Sequence, residues 1–238
     1  MARLKPPMTT GCLTVLVVLI AVLSTVLGAL WYWTRHTDTV NAEHRQQALQ
    51  ALDEQLRRTK HDTIRALDNE SSGDPDVLTA VIHRHTGAPV ISYDASRHAF
   101  RARMVKRVEY KARTLFGTSE GMIDRCLDYT YAPANDRGWT STMSVLKDDT
   151  CAPSDSVGSA ARIAAQRVAA LDASELTRIG LRRALAPYRR FLTVNAVTRT
   201  GGTVTVSVMV SEESTRQCYR ITRNGSQVLS VPAQTCQG

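Results

Sequence analysis

A stretch of 29 residues without a charged side chain lies near the start of this chain and limits what its first part can form. Residues 6–34 lack Asp, Glu, Lys and Arg, and Cys12–Leu30 within them is mainly Leu, Val, Ile and Ala. A helix over residues 11–33 has 23 residues. At about 1.5 Å per residue it reaches roughly 34 Å, enough to cross the hydrocarbon core of a bilayer. The sequence therefore predicts one transmembrane helix over residues 11–33.

Three aromatic residues mark the C-terminal end of this predicted span. Trp31, Tyr32 and Trp33 are amphipathic rings that favour the headgroup level, so we expect them to anchor the helix at the membrane interface. The N-terminal tail, residues 1–10, carries two bases and no acid. That bias favours a cytoplasmic tail and an extracytoplasmic C-terminal part.

A cleaved secretory signal peptide is the alternative for this segment. Its apolar core would be unusually long, and Leu27 occupies the position where cleavage near Ala29 needs a small residue. A retained membrane anchor is therefore the favoured interpretation.

Four cysteines follow the apolar segment: Cys126, Cys151, Cys218 and Cys236. They allow three pairings. The local pattern favours Cys126 with Cys151 and Cys218 with Cys236, because each pair brackets one strand-turn-strand segment. A zinc site is the alternative, but the gaps of 24 and 17 residues greatly exceed the short spacing usual between paired zinc ligands. Disulfides predict an oxidising, extracytoplasmic compartment.

The rest of the chain reads as a helical stalk followed by two similar halves. The stalk, residues 34–72, has one apolar side formed by Leu49, Leu52, Leu56, Ile64 and Leu67. Each half, residues 73–152 and residues 153–238, is predicted as a module in which helices pack on four antiparallel strands. The predicted strands are 89–93, 99–113, 124–131 and 140–146 in the first half, and 192–198, 202–210, 217–222 and 227–231 in the second.

Local signals place the predicted helices of the two halves. Asp74 and Pro75 open a helix whose buried face is Val77, Leu78, Val81 and Ile82. In the second half, residues 156–171 have helical periodicity. Asp172 and Glu175 resemble a capping box that opens another helix through Leu176, Ile179 and Leu185, which ends before Pro187.

Both halves place a cysteine at the start of the third strand, in Arg125-Cys126-Leu127-Asp128-Tyr129 and in Gln217-Cys218-Tyr219-Arg220-Ile221. In outline this α+β organisation resembles membrane-anchored proteins whose outer part is one or two modules of the cystatin-like or nuclear-transport-factor-like kind, as in some Mce-associated and conjugation-transfer subunits. The resemblance implies an outer part built from one or two such modules. The repeated organisation and the cysteine spacing predict two tandem, disulfide-stapled modules here.

The second predicted strand gathers bases on one face. Its alternation places five of them together, Arg101, Arg103, Arg107, Lys111 and Arg113. The chain as a whole has a formal net charge of +8. Such a row attracts anionic lipid headgroups, anionic wall polymers or an acidic protein. Nucleic acid is a disfavoured partner because no aromatic side chain is interleaved for base stacking. The alternative is an ordinary solvated face that discourages edge pairing.

Two motifs have the spelling of a catalytic or metal-binding site but lack the surrounding residues or spacing that such a site needs. Gly117–Gly121 has the G-x-S-x-G spelling around Ser119, but no histidine follows His98, and the segment is predicted as a glycine-rich hairpin loop. His83 and His85 are two residues apart at a helix end, where they point to different sides and are expected to be solvated. We expect no catalytic centre, no metal site and no cofactor.

These observations favour a non-catalytic, single-pass membrane protein whose extracytoplasmic part binds or scaffolds other proteins. An accessory subunit of a bacterial envelope, secretion or conjugation complex fits this description, with a protein partner in the envelope. The alternative is a membrane-tethered inhibitor or ligand-binding protein that acts alone.

Overall fold

The computed structural model describes residues 9–134 and 138–236, with side chains from residue 14 onward within those ranges. The bases of the predicted cytoplasmic tail, Arg3 and Lys5, lie outside the described residues. The helices are α1 (Thr9–Asp68), α2 (Pro75–Thr86), α3 (Ala152–Ala170) and α4 (Arg178–Ala184), with 3-10 turns at Asp148–Cys151 and Ala186–Tyr188. The strands are β1 (Val90–Asp94), β2 (Ala99–Thr114), β3 (Gly117–Pro133), β4 (Trp139–Leu146), β5 (Leu192–Thr200), β6 (Thr203–Glu212), β7 (Thr215–Asn224) and β8 (Gln227–Ala233).

The strands form two four-stranded antiparallel sheets, each in simple chain order. The first sheet has the order β1-β2-β3-β4 and the second the order β5-β6-β7-β8. A mixed fold of helices and two antiparallel sheets is therefore present, as the sequence predicted. β5 carries an irregularity between Val194 and Ala196, where its register against β6 shifts.

The chain divides into two compact units. The first contains the chain up to Leu52 together with residues 108–122, and the second contains residues 53–107 and 123–238. The first unit thus combines the N-terminal part of α1 with the distal end of the β2–β3 hairpin. The second unit contains most of both sheets and helices α2 to α4.

In the first unit, reciprocal hydrogen bonds fasten the hairpin to α1. The Asn41 Nδ2 donates to the Arg113 carbonyl over 3.0 Å, and the Arg113 N–H donates to Asn41 Oδ1 over 2.6 Å. The His44 Nδ1 lies 2.7 Å from the Lys111 carbonyl. The two strands turn at residues 115–116, so β3 begins at Gly117.

In the second unit, α3 forms the core with the second sheet. Its buried residues repeat at steps of three and four, which places them on one face: Val157, Ala161, Ala164 and Val168. They belong to one cluster with the inward residues of β6 and β7, including Val206, Val208, Tyr219 and Ile221. Amphipathic periodicity thus predicted the buried face of α3, while the helix itself begins at Ala152, four residues earlier than predicted.

The end of α1 packs on the first sheet. Leu67 is fully buried, and the Asp68 Oδ1 accepts a hydrogen bond from the Trp139 backbone N–H over 2.7 Å. Burial raises the pKa of Tyr131 on β3 to about 12, although the hydroxyls of Thr63 and Ser141 beside it act in the opposite direction. The predicted stalk therefore supplies the helix for the first sheet.

Helix α2 packs on the second sheet, although its sequence position places it in the first predicted half. The Arg220 Nη2 of β7 donates to Asp76 Oδ2 over 2.8 Å, and the Gln234 N–H donates to Asp76 Oδ1 over 2.6 Å. The Gln234 side chain donates to Thr79 and to the Ile91 carbonyl, both over 2.8 Å. The repeat suggested that α2 would pack on the first sheet, but it packs on the second sheet, and the end of α1 packs on the first.

Two predictions on helices are wrong, namely the burial of Val77 and the start of a helix before Leu176. Val77 is 36% exposed, because the buried face of α2 is Leu78, Thr79, Val81 and Ile82. Ile179 is 73% exposed, whereas Leu176 and Leu185 are buried. The sequence predicted one helix through all three residues, but α4 begins only at Arg178.

The predicted capping box exists without the helix that it was expected to open. The Asp172 N–H donates to Glu175 Oε2 over 3.4 Å, yet the residues between Leu171 and Thr177 form turns. The N-cap of α4 is Thr177, whose hydroxyl accepts from the Gly180 N–H over 3.1 Å. The N-cap thus lies five residues later than the sequence indicated.

The predicted loop over Gly117–Gly121 is also wrong, since these residues form the first part of β3. Gly121 faces the Tyr110 ring of β2, and a Cβ at this position would collide with that ring. An aromatic ring laid over a strand glycine supplies the packing that the glycine lacks. This explains why a glycine-containing segment continues as a strand.

Candidate functional site

The basic face of β2 is the first candidate site, and its alternation follows the sequence. Phe100, Ala102 and Met104 are buried, whereas Arg101 and Arg107 are exposed on the alternate positions. Extended backbone places successive side chains on opposite faces of a sheet.

Acids on the neighbouring strand β3 pair with three of these bases. Arg101 donates to Asp128 Oδ2 over 2.6 Å, and Arg103 Nε lies 3.5 Å from Asp128 Oδ1. Arg107 makes a two-point contact with Asp124, at 2.8 and 3.1 Å. The sheet therefore supplies its own counter-charges to this part of the basic face.

The two pairs differ in their exposure to water. The Asp128 side chain is only 5% exposed, whereas that of Asp124 is 41% exposed. The hydrogen bond with Asp128 raises the pKa of Arg101, and the hydrogen bond from Arg107 lowers the pKa of Asp124. The Asp128 pair therefore has the stronger structural role, and a surface for an anionic partner stays a prediction.

Lys111 and Arg113, the other two predicted bases, lie in the first unit. Their side chains are exposed, while their backbone carbonyls lie at hydrogen-bonding distance from the His44 and Asn41 side chains, respectively. They are separated along the chain from the bases that Asp124 and Asp128 hold.

The predicted interface anchors are exposed on α1. Trp31, Tyr32 and Trp33 have exposed fractions of 62%, 68% and 44%. The Arg35 guanidinium lies 5.5 Å from the centroid of the Trp31 ring, and the Tyr32 ring stacks on His36. A base beside aromatic rings at the end of an apolar helix suits the headgroup level of a bilayer.

Both disulfides are formed, in the pairing that the local spacing favoured. The bonds are Cys126–Cys151 and Cys218–Cys236, with Cα–Cα distances of 5.4 and 5.3 Å. The alternative of a four-cysteine zinc site does not fit, because the sulfur atoms are bonded to each other. Cys126 and Cys151 are fully buried beside β2.

A cavity of about 380 Å³ in the second unit is a candidate site that the sequence did not indicate. Its apolar wall comes from small residues on α3, namely Gly158, Ala161 and Ala165, which share one helix face. Gly158 lies against Pro89, and a Cβ there would be 2.8 Å from the proline Cβ. The volume is in the range of small-molecule sites.

Polar groups from four elements line this cavity. They are His83 of α2, Arg162 and Gln166 of α3, Tyr219 of β7 and Ser230 of β8. The Ser230 hydroxyl is buried and has no hydrogen-bond partner among the described residues. A buried hydroxyl without a partner is a group that a ligand or water would satisfy.

Burial favours the neutral forms of His83 and Tyr219. Burial lowers the pKa of His83, and its Nδ1 lies 2.9 Å from the Ala88 carbonyl, so the neutral ring donates from Nδ1 and leaves Nε2 as an acceptor. Burial also raises the pKa of Tyr219, whose hydroxyl donates to the Pro89 carbonyl. The expectation that His83 is solvated at a helix end is therefore wrong, whereas His85 is exposed.

The cavity was missed because its residues are far apart in sequence. His83 and Ser230 come together only because α2 packs on the second sheet. The one local signal is the run of small residues on α3, which alone equally fits close helix packing.

Ser119 lies in the extended first part of β3 and is exposed. A nucleophile elbow needs a sharp turn between a strand and a helix, which this strand does not provide. Within residues 9–134 and 138–236, there is no cluster of three or more His, Cys, Asp or Glu side chains able to hold a metal ion.

Comparisons with known proteins give little further information. No protein-family model matches the chain, and no curated protein matches it. A solved structure described as an Ntf2 like protein involved in plasmid conjugation is 9% identical, over 62% of this chain and 75% of that chain, with a TM-score of 0.17. A TM-score this low does not establish a common fold.

Proposed function

We propose that this chain is a single-pass membrane-anchored protein whose C-terminal part is extracytoplasmic and binds or scaffolds other proteins. The observation that carries the proposal is α1, one continuous helix from Thr9 to Asp68 that begins apolar and ends in the disulfide-bonded second unit. An accessory subunit of a bacterial envelope, secretion or conjugation complex fits this arrangement.

The exposed apolar surface of α1 supports the membrane anchor. Eleven large apolar residues between Val15 and Leu30 are 43–62% exposed, and an 18-residue window of this helix has a mean hydropathy of 2.5 with no residue buried. The Thr25 hydroxyl donates to the Val22 carbonyl over 2.8 Å, so it needs no water. Surface of this kind is favourable in hydrocarbon and unfavourable in water.

The disulfides support the extracytoplasmic location of the second unit. Cys126–Cys151 and Cys218–Cys236 persist only where thiols are not kept reduced, as outside the cytoplasmic membrane. With the second unit outside, a single span places the N-terminus inside.

A binding role without catalysis is supported by the character of the polar groups. The ion pairs of Asp128 and Asp124 join β2 to β3 within one sheet. Ser119 stands in a strand that lacks the turn of a nucleophile elbow. Ion-paired side chains of this kind stabilise a binding surface, whereas catalytic groups typically have strongly shifted pKa values.

Membrane fractionation and cysteine accessibility test the anchor and its orientation. The full chain should stay in the membrane pellet after alkaline carbonate washing. A cysteine introduced at exposed Ser226, on the β7–β8 turn, should react with a membrane-impermeant maleimide added to intact cells or protoplasts. Release by carbonate, or reaction only after lysis, would contradict the proposal.

In-cell photo-crosslinking tests the role in a complex. A photoreactive residue is placed at Ile179, which is 73% exposed, and at Leu229, which is 65% exposed. Adducts with the same envelope protein in stoichiometric yield would support a complex subunit. A chain that stays uncrosslinked from every exposed site, and that purifies alone, would contradict it.

Ligand binding by a chain that acts alone is the second candidate, and the cavity on α3 favours it. Arg162 at its rim and the Ser230 hydroxyl inside it suit a small anionic or polar ligand. Thermal denaturation of the purified full chain with a panel of small carboxylates and phosphates tests this function. A stabilisation that Arg162→Ala removes would support it, and no response across the panel would oppose it.

A further inference from the structure

The turn of the β2–β3 hairpin carries two exposed apolar residues. Phe116 is 95% exposed, the highest value for a large hydrophobic residue in the described part of the chain, and Leu115 is 47% exposed. Turns that face water favour Gly, Pro, Asn, Asp and Ser. Exposed apolar area is unfavourable in water, and phenylalanine is among the largest apolar side chains. A turn of this composition therefore suits an apolar environment.

Contacts within the first unit show where this turn points. The Lys111 carbonyl meets His44, and the Arg113 backbone meets Asn41, which lies one helical turn nearer the apolar part of α1. As β2 advances toward its tip, its partners on α1 move toward the N-terminus. The hairpin therefore runs down α1 toward the apolar segment.

Leu115 completes this series by reaching the apolar segment itself. It lines a depression of about 330 Å³ together with Val26, Ala29, Leu30 and Trp33. Val26 and Trp33 are seven residues apart, which corresponds to about 10 Å along the helix axis. The tip thus lies at the level of the last turns of the predicted membrane span.

Polar residues are placed further from the apolar segment than the tip. Arg113 precedes Leu115 by two residues, about 7 Å along a strand, and Glu120 follows Phe116 by four residues on β3. The distal hairpin is therefore apolar at its end and charged behind it. Segments that rest in a bilayer interface bury their apolar part about 5–10 Å into the boundary between headgroups and acyl chains.

We propose that the Leu115–Phe116 tip inserts into the interfacial layer of the bilayer that α1 crosses, as a second membrane contact. This inference rests on the proposed membrane anchor. The partner is the lipid surface, the backbone of the hairpin sets the depth of the tip, and position 116 is its most exposed point. A chain held by one helix alone can rotate about the axis of that helix. A second contact with the bilayer, beside Trp33, restricts this rotation.

Site-specific fluorescence in lipid vesicles tests the tip contact. The full chain with Cys12→Ser is reconstituted in vesicles of phosphatidylcholine and phosphatidylglycerol, and one cysteine is labelled with an environment-sensitive dye. The test position is Phe116→Cys. Leu27→Cys is the control inside the predicted span, and Ser226→Cys is the matched control on the exposed β7–β8 turn. Quenching is compared between a nitroxide near the lipid headgroup and one deep in the acyl chain.

The expected result is a blue-shifted emission at position 116, with stronger quenching by the headgroup nitroxide than by the deep one. Position 226 should show neither effect, and position 27 should be quenched by the deep nitroxide. Emission at position 116 that matches position 226 overturns the inference and leaves the anchor intact, provided that position 27 is in lipid. A blue shift at 116 without lipid quenching places the tip against protein, in the same chain or in a second copy, and also overturns the inference. Water-like emission at all three positions refutes the membrane anchor itself.

Discussion

Asp128 is the acid on which the paired bases of β2 most depend, and Asp128→Asn should destabilise the second unit. The substitution keeps the size of the side chain and removes its charge. Asp128 is 5% exposed and accepts from Arg101 over 2.6 Å, while Arg103 lies 3.5 Å away. A hydrogen bond to a charged group contributes about 1.5–3 kcal/mol. Because Arg101 is 54% exposed, the lower end of that range applies, and we expect a loss of about 2 kcal/mol.

Asp124→Asn is the matched control on the same strand. Its carboxylate is 41% exposed and Arg107 is 56% exposed, so solvent screens the pair. Exposed pairs contribute about 0–1 kcal/mol, and salt weakens them further. The control should therefore lose less than half as much stability as Asp128→Asn.

Urea denaturation of the full chain in detergent micelles, followed by near-ultraviolet circular dichroism, measures both effects. A shift of the midpoint at constant slope reports a change in the free energy of unfolding. The loss from Asp128→Asn should persist in high salt, whereas the loss from Asp124→Asn should fall. Equal losses for the two variants, or a loss for Asp128→Asn that disappears in salt, would refute the structural role assigned to Asp128.

Three further changes test the second unit by the same denaturation assay. Replacing both Cys218 and Cys236 by alanine should cost about 3 kcal/mol, because the bond closes a separation of 18 residues; an unchanged midpoint would contradict this. Burial raises the pKa of Asp76, but hydrogen bonds and a nearby arginine lower it to below its usual value. Its stabilising effect is therefore present above about pH 4 and lost as the pH falls, so Asp76→Asn should reduce the acid sensitivity of unfolding. Gly158→Ala should destabilise, since a Cβ 2.8 Å from that of Pro89 costs about 1–3 kcal/mol against a gain of about 1 kcal/mol in helix propensity, and a raised midpoint would disprove the close packing.

Periodicity predicted those features of the fold that depend on neighbours in sequence. The alternation along β2 placed Phe100 inside and Arg101 outside, and the steps of three and four along α3 identified Val157 and Val168 as buried. The even number of cysteines and their local spacing matched the two disulfides. Each of these signals involves residues that are close in sequence, so the spacing of the residues determines which side chains share a face or meet.

Features that depend on distant contacts were not predictable in this way. The sequence around Gly121 is typical of a loop, and only the contact with the Tyr110 ring explains why it lies in a strand. Glu175 reads as part of a capping box because its side chain does reach the Asp172 N–H, although the chain between them makes a turn instead of a helix. The cavity lined by His83 required knowledge of which sheet α2 packs on.

The attachment of α2 to the second sheet has a consequence for how the chain matures. Asp76 finds its partners in Arg220, Gln234 and Thr235, about 150 residues later in the chain. During synthesis, the N-terminal residues emerge first, so the apolar face of α2 stays uncovered until nearly the whole chain has been made. Contacts of such long range form slowly and leave hydrophobic surface open to other chains meanwhile. Folding of the second unit is thus a late event that the last strand completes, and the uncovered face of α2 is open to aggregation until β8 has been made.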